Sequence, residues 1–208
     1  SFGAMSDGRS GLARGVIATT SFYPSKPLGA YGDGGAIFCD DDNLAMELRS
    51  IQNHGMAVVG SGHDRLGLTG RLDTLQAAVL LAKLELFDAE VANRRLVAQR
   101  YSAALSDRVV VPRQLDGVQP VWAQYTVEVD DREKVRPCLD EAGVPTRVFY
   151  PRPLHMNAPY SDCPVVPTGT PVASQASSRV MSLPMHPYLD EEVQDRIVST
   201  LRSVLARQ

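Results

Sequence analysis

"SFYPSKPLGAYGDGG", residues 21–35, sets one lysine, Lys26, between Pro24 and Pro27 and just ahead of Gly29, Gly32, Gly34 and Gly35. The run before it, "GVIATTSFY" (15–23), is rich in β-branched and aromatic residues, and "GAIFCD" (35–40) follows the glycines. The stretch therefore predicts two strands joined by a lysine-bearing loop. Phe22, Tyr23 and Leu28 flank the lysine at the end of a strand expected to be buried. A lysine held among apolar groups has its charged form disfavoured, which frees a neutral, nucleophilic amine, and such lysines form Schiff bases. The glycines allow close backbone approach, so a flat or bulky ligand can rest against the loop. Ser21, five residues before Lys26, can offer a hydroxyl to a phosphate on that ligand. The alternative is a lysine that snorkels from an ordinary glycine turn into solvent. A P-loop is excluded, because its glycines precede the lysine and a Ser or Thr follows it, whereas here the glycines come after and Pro27 is next.

Composition bounds the rest. A chain of 208 residues, 44% hydrophobic, can bury a sizeable core and suits one large or two small domains. Its 21 basic and 24 acidic residues leave a net charge of -3 with no concentrated basic region, so neither nucleic acid nor an anionic membrane is an expected partner. Cys39, Cys138 and Cys163 lie far apart with no CxxC, which argues against a disulfide framework or a thiolate zinc site and fits a reducing, cytoplasmic setting. The longest apolar run, "AAVLLA" (77–82), is too short to span a bilayer. The opening "SFGAMSDGRS" lacks the features of a secretory leader, and the start at Ser1 suggests a chain that begins inside something longer.

Further along, "DDDNLAMELRSIQNHG" (40–55) predicts a helix capped by its aspartates, with Leu44, Leu48 and Ile51 on one face and Gly55 as the stop. Residues 56–70, with four glycines and no sustained period, predict a loop, mobile or partner-bound. From Asp73 to about Leu105 there is no Gly or Pro and the apolar residues recur at helical spacing, predicting one long helix. Its apolar first half is expected to be buried and its charged second half to face water. Residues 120–129 predict a strand, "DREKVRPCLDEAG" a helix kinked or shortened by Pro137, and "VPTRVFYPRP" (144–153) a strand closed by prolines. After a proline-rich loop to Thr170, two helices are expected to finish the chain. Thr170 and Pro171 open the first; Asp190 caps the second, which carries Val193, Ile197, Leu201 and Val204 on one stripe.

"SFYPSKPLGAYGDGGA", with "GRLDTLQAAVL", "VFYPRPLH" and "MSLPMHPYLD", resembles the sugar aminotransferases of the DegT/DnrJ/EryC1/StrS family, over essentially the whole chain. Within it the resemblance is to the WbpE-like group acting on UDP-linked 3-keto-uronic acid sugars. It implies an α/β fold, the C-terminal part of a fold type I transferase dependent on pyridoxal 5'-phosphate. Residues 1–90 would be the end of the large cofactor-binding domain carrying the lysine loop, and 91–208 a small C-terminal α/β domain reached by the long interdomain helix. It implies that Lys26 holds the cofactor covalently and that Ser21 is a ligand of its phosphate. The implied reaction moves an amino group, from glutamate in most of the family, to a ketone carbon of a nucleotide sugar in polysaccharide or amino-sugar biosynthesis. The runner-up substrate is a 4-keto-6-deoxy sugar, and the competing class is an inactive, non-catalytic fragment.

The resemblance also implies a cytoplasmic homodimer with shared active sites, in which Arg71 reaches toward a carboxylate or phosphate of the substrate. The alternative for Arg71 is a structural brace to Asp73. Thr69 stands where close relatives have asparagine, and Phe149 where many have histidine, while Tyr150 is kept. His155 either lines the substrate cleft or packs at the surface. The family's cofactor-nitrogen aspartate belongs to a segment before "SFGA", and Asp7 and Asp33 are expected to be solvated loop residues. His54, His63, His155 and His186 have no metal-ligand spacing, so no metal is expected.

Overall fold

The computed structural model describes residues 2–57, 60 and 62–207. The expectations that fall on Ser1, Val58, Val59 and Ser61 lie outside the described residues. The chain forms two compact units, Ser1–Val91 with Gln114–Val121, and Ala92–Arg113 with Trp122–Gln208.

The first unit opens with β1 (Met5–Ser6) and β2 (Arg9–Ser10), a hairpin turned by Asp7 (φ 49°) and Gly8 (φ 74°). Two consecutive left-handed residues match the twist of a two-residue hairpin, which is why an Asp-Gly pair sits there. β3 (Ala18–Ser21) and β4 (Gly35–Phe38) form a second antiparallel pair with Ser21 opposite Gly35. Both strands are shorter than the sequence suggests, and neither is buried on both faces. α1 (Asp42–Gln52) begins at Asp41, whose carboxylate accepts from Leu44 N. It ends at Asn53, His54 (φ 61°) and Gly55 (φ 81°), where Gly55 N–H reaches back to Ser50 O at 2.8 Å.

α2 (Thr74–Leu105) is the long helix expected, 32 residues without a break, but its burial does not divide by halves as expected: each half buries one stripe, Leu80 and Phe87 in the first. In the first half Leu75, Leu81, Leu84 and Leu86 are exposed and find no cover among the described residues. The charged second half buries Val97, Ala98, Tyr101 and Leu105. Hydropathy density misled here; the three- and four-residue spacing of these buried positions among arginines is the signal that decides. β5 (Val118–Gln119) returns to pair with β1, giving the order β2-β1-β5.

The second unit pairs β6 (Tyr125–Glu128) antiparallel with β7 (Val180–Leu183). The strand predicted over 120–129 is therefore shorter, beginning at Tyr125 beyond Trp122, whose φ is 50°. α3 (Arg132–Glu141) runs on through Pro137. The strand predicted over 144–153 does not form. Pro145, Pro151 and Pro153 offer no N–H, and only Arg147 bridges to Ser182. α4 (Pro171–Arg179) leads directly into β7, a strand the sequence does not predict between the two final helices, and α5 (Glu191–Leu205) closes the chain. Asp190 caps α5 as expected, accepting from Val193 N at 2.8 Å. The core here gathers Tyr101, Leu105, Tyr125, Val127, Val135, Leu139, Met181, Ile197 and Leu201.

Candidate functional site

The loop between β3 and β4 is built from the strand ends inward. Beyond the last ladder pair, Phe22 N–H donates to Gly34 O at 2.8 Å, and Ala30 N–H donates to Phe22 O at 2.7 Å. Inside these, Lys26 N–H donates to Tyr23 O at 2.8 Å, closing a tight turn with Pro24 at its second position, where a fixed φ suits it. Gly29 packs back on this turn. A Cβ there would lie 2.7 Å from Pro24 O and 2.8 Å from Tyr23 O, so no larger residue fits. Phe22, Leu28 and Ala30 are buried in the first unit's core, while Tyr23, Pro24, Ser25 and Lys26 stand exposed at the tip.

The expectation of a lysine held among apolar groups is therefore corrected: the turn carries Lys26 outward. Its ammonium has no hydrogen-bond or ion-pair partner among the described residues. Ser21, also exposed, accepts from Tyr23 N–H at 3.1 Å through Oγ, which leaves the hydroxyl proton free to donate.

Two side chains the sequence reading passed over hold the other limb of this loop. Gln76 Oε1 accepts from Tyr31 N–H at 2.8 Å, and Lys83 Nζ donates to Gly29 O at 2.6 Å. The Lys83 ammonium also lies 5.6 Å from the centroid of the Tyr31 ring, within cation–π range. Gln76, Leu80, Lys83 and Phe87 fall at i, i+4, i+7 and i+11 on α2, one stripe of the helix. Leu80 and Phe87 join Phe22, Leu28 and Ala30 in the core, so the stripe alternates polar tether and apolar contact along the loop. That spacing was the available signal; polar residues inside an apolar run read as interruptions unless the loop they meet is known.

Thr69 and Arg71 lie on a short segment, residues 68–71, that runs back along the end of α1. Leu68 N–H donates to Ile51 O at 2.8 Å, and Gly70 N–H to Gln52 O at 2.9 Å. Thr69 bridges Asn53 and sets its Oγ1 3.4 Å from His54 Nδ1. Arg71 donates to Asn53 Oδ1 at 3.0 Å, so its brace is the α1 cap and not Asp73. Asp7 and Asp33 are exposed, as expected, and Asp7 pairs with Arg14 at 3.3 Å.

In the second unit Tyr150 is exposed, its ring edge-on to Phe149 with centroids 5.7 Å apart. His155, half-buried in a short turn (Leu154–Met156), meets Thr170 Oγ1 at 3.0 Å from Nε2. Thr170 precedes α4 but makes no side-chain cap; its hydroxyl is turned to this histidine instead. The six expected residues thus fall into three groups: Ser21 with Lys26, Thr69 with Arg71, and Tyr150 and His155 in the other unit. Burial pushes the Tyr101 and Tyr125 hydroxyls upward, and the Arg202 hydrogen bond holds Asp107 below the usual carboxylate range. Among the described residues no three His, Cys, Asp or Glu side chains gather to hold a metal, and no helix is long and apolar enough to cross a membrane.

Known proteins share this arrangement of elements. The family model of the DegT/DnrJ/EryC1/StrS aminotransferase family matches residues 1–202. The UDP-2-acetamido-2-deoxy-3-oxo-D-glucuronate aminotransferase of Pseudomonas aeruginosa is 48% identical over 192 residues, 91% of this chain and 52% of that protein. The crystal structure of a DegT DnrJ EryC1 StrS aminotransferase from Brucella abortus is similar with a TM-score of 0.95 at 44% identity, over 98% of this chain and 54% of the other. DesV of S. venezuelae, solved in complex with a ketimine intermediate, is similar with a TM-score of 0.91 at 33% identity, over 99% and 56%. NtdA of Bacillus subtilis, solved with bound cofactor PMP, gives 0.84 at 28% identity, over 95% and 48%. The chain spans about half the length of each of these relatives. With its mixed α/β fold matched across almost its whole length, the chain belongs to the DegT/DnrJ/EryC1/StrS aminotransferase family.

Proposed function

We propose that this chain is the lysine-bearing, C-terminal part of a transaminase dependent on pyridoxal 5'-phosphate, acting on a keto nucleotide-sugar. The observation that carries the proposal is the unpartnered, exposed Lys26 amine on a loop whose other limb is fixed to α2. The donor set fits the cofactor: a free amine for an aldehyde, and the spare hydroxyl proton of Ser21 for a phosphate oxygen. When bound, pyridoxal 5'-phosphate supplies an electron sink that stabilises negative charge at the substrate carbon losing its proton. Lys26 would hold the cofactor through its amine in the resting protein, and with that amine free it would take up and return the proton at the substrate carbon. A flexible four-carbon stem at the exposed tip of a turn gives the reach for both tasks.

Ser21 orients the phosphate end. Arg71 keeps guanidinium donors beyond the one given to Asn53 and is assigned to an anionic group of the sugar nucleotide, with Thr69 beside it. Tyr150 and His155 are assigned to the substrate side. Residues 1–90 supply the cofactor-binding part and 91–208 a small α/β domain. The partners are glutamate as amino donor and a second copy in a cytoplasmic homodimer with shared active sites. A UDP-linked 3-keto-uronic acid is the favoured substrate, supported by the 48% identity to an enzyme named for such a sugar.

The test is Lys26→Ala in the full-length protein, with turnover assayed on a panel of keto nucleotide-sugars. Turnover and the borohydride-fixed cofactor adduct should both disappear. An adduct or turnover that survives the substitution overturns the role of Lys26, and preference for a 4-keto-6-deoxy sugar overturns the substrate.

A further inference from the structure

The lysine loop has two limbs with different restraints. Residues 23–26 form a turn held by its own backbone and lie in solvent, whereas residues 28–31 are pinned from outside. Three of the pins are not part of any strand ladder: the Gln76 acceptor on Tyr31 N, the Lys83 donor on Gly29 O, and the Lys83 ammonium at the Tyr31 ring. Gly29 in turn abuts the carbonyls of Tyr23 and Pro24, so the limb that Lys83 grips is the floor on which the Lys26 turn rests. Gly32 sits under the Gln76 side chain, where a Cβ would lie 3.1 Å from Nε2. A charged donor on a carbonyl is among the stronger hydrogen bonds, and Lys83 is only half-exposed, so this tether is shielded from competing water.

We propose that Gln76 and Lys83 are positioning residues: through Gly29 and Tyr31 they fix the turn that aims the Lys26 amine. The inference rests on the cofactor-anchoring role of Lys26. Neither side chain needs to touch the cofactor. The mechanical argument is that Lys26 has a long, rotatable stem and no partner of its own, so its approach to an aldehyde carbon is set by where the turn is held. Loss of a tether leaves the amine present but poorly aimed, and aim governs rate far more than it governs affinity for a ligand that never bonds to it.

The experiment uses the full-length protein stripped of cofactor, as Lys83→Met, Lys83→Arg and Gln76→Leu. Pyridoxal 5'-phosphate is added, samples are quenched with borohydride over time, and the adduct at Lys26 is quantified by peptide mass. Borohydride fixes the carbon–nitrogen bond that the Lys26 amine forms with the aldehyde, the aldehyde oxygen having left as water. In parallel, the affinity for pyridoxamine 5'-phosphate, which forms no bond to Lys26, is measured. Lys83→Met and Gln76→Leu should each form the Lys26 adduct at least about tenfold more slowly, while pyridoxamine 5'-phosphate binds within about twofold of the parent. Lys83→Arg, which keeps a charged donor, should recover most of the rate. Adduct formation as fast in Lys83→Met and Gln76→Leu as in the parent overturns the positioning role alone. Equal losses in adduct rate and in pyridoxamine 5'-phosphate affinity also overturn it, since that pattern marks a collapsed site. No adduct at Lys26 in the parent overturns the anchoring role itself, and the positioning role with it.

Discussion

Ser21 and Arg71 each already spend part of their hydrogen-bonding capacity inside the chain, and what remains sets how each should respond to mutation. Ser21 uses a lone pair on Tyr23 N–H and keeps its proton. Ser21→Ala should therefore weaken cofactor binding by about 1–3 kcal/mol, the range for a lost hydrogen bond to a charged partner, checked by titrating the stripped full-length protein. Unchanged affinity would remove Ser21 from the site. Arg71 gives one nitrogen to Asn53. Arg71→Ala should slow the sugar half-reaction by more than the glutamate half-reaction, measured separately by single-turnover absorbance; equal slowing would mean that the Asn53 bond is its whole purpose. At this scale the sequence was informative where local chemistry decides. "YPSK" (23–26) is a turn because Pro24 suits its second position. It was uninformative about the side of the turn the lysine takes, since that depends on Gly29 closing against two carbonyls.

Helix ends were legible because their signals are local and short-ranged. Asp41 and Asp190 each cap the helix they precede. Asp190→Ala should lower the unfolding free energy by about 1 kcal/mol, read from denaturant midpoints, because the first turn of α5 loses the acceptor for Val193 N–H. A change below about 0.3 kcal/mol would show that Glu191 and Glu192, also at that end, suffice without it. Thr170 illustrates the limit of the same rule. Its residue type and the following Pro171 mark a helix start correctly, yet its hydroxyl is drawn to His155, fifteen residues away, a partner no local pattern reveals. β7 escaped notice for a related reason: "VMSL" follows α4 with no turn residue between, so nothing in the sequence separates them. The Asp7–Gly8 hairpin, in contrast, carries a strong turn signal that was open to recognition.

For the molecule as a whole, the second unit's core and its rim predict opposite responses at the two ends of the pH scale. Tyr101 is fully buried with its hydroxyl donating to Pro184 O at 3.0 Å, and burial raises its pKa above the unfolded value of 10.0. A raised folded pKa means that its stabilisation is complete below about pH 10 and is lost as pH rises beyond it. Tyr101→Phe should therefore be less stable than the parent at pH 7, by about 1 kcal/mol for the lost hydrogen bond, with the gap closing or reversing above pH 10 in urea melts. A gap independent of pH would mean that the phenol ionises as easily folded as unfolded. At the acid end, Arg202 grips Asp107 with two bonds, 2.6 and 2.9 Å, and holds its pKa down. The stabilisation from a depressed carboxylate is present above its unfolded pKa of 3.8 and disappears as pH falls through the folded value. Asp107→Asn should thus differ from the parent at pH 7 and match it near pH 2. The exposure of Leu75, Leu81, Leu84 and Leu86 on α2 was the largest feature the sequence did not disclose, because which leucines are covered depends on the elements packed against the helix, whereas stripe spacing is a property of the helix itself. That spacing has a consequence for insertions and deletions. Adding a single residue between Leu80 and Lys83 turns everything beyond it by about 100° around the helix axis, so Gln76 and Lys83 no longer face the same loop although every side chain is retained. This segment should accept many exchanges of residue type on its outer face and almost no change in length, a distinction that a library of single-codon insertions across residues 76–87 would display directly.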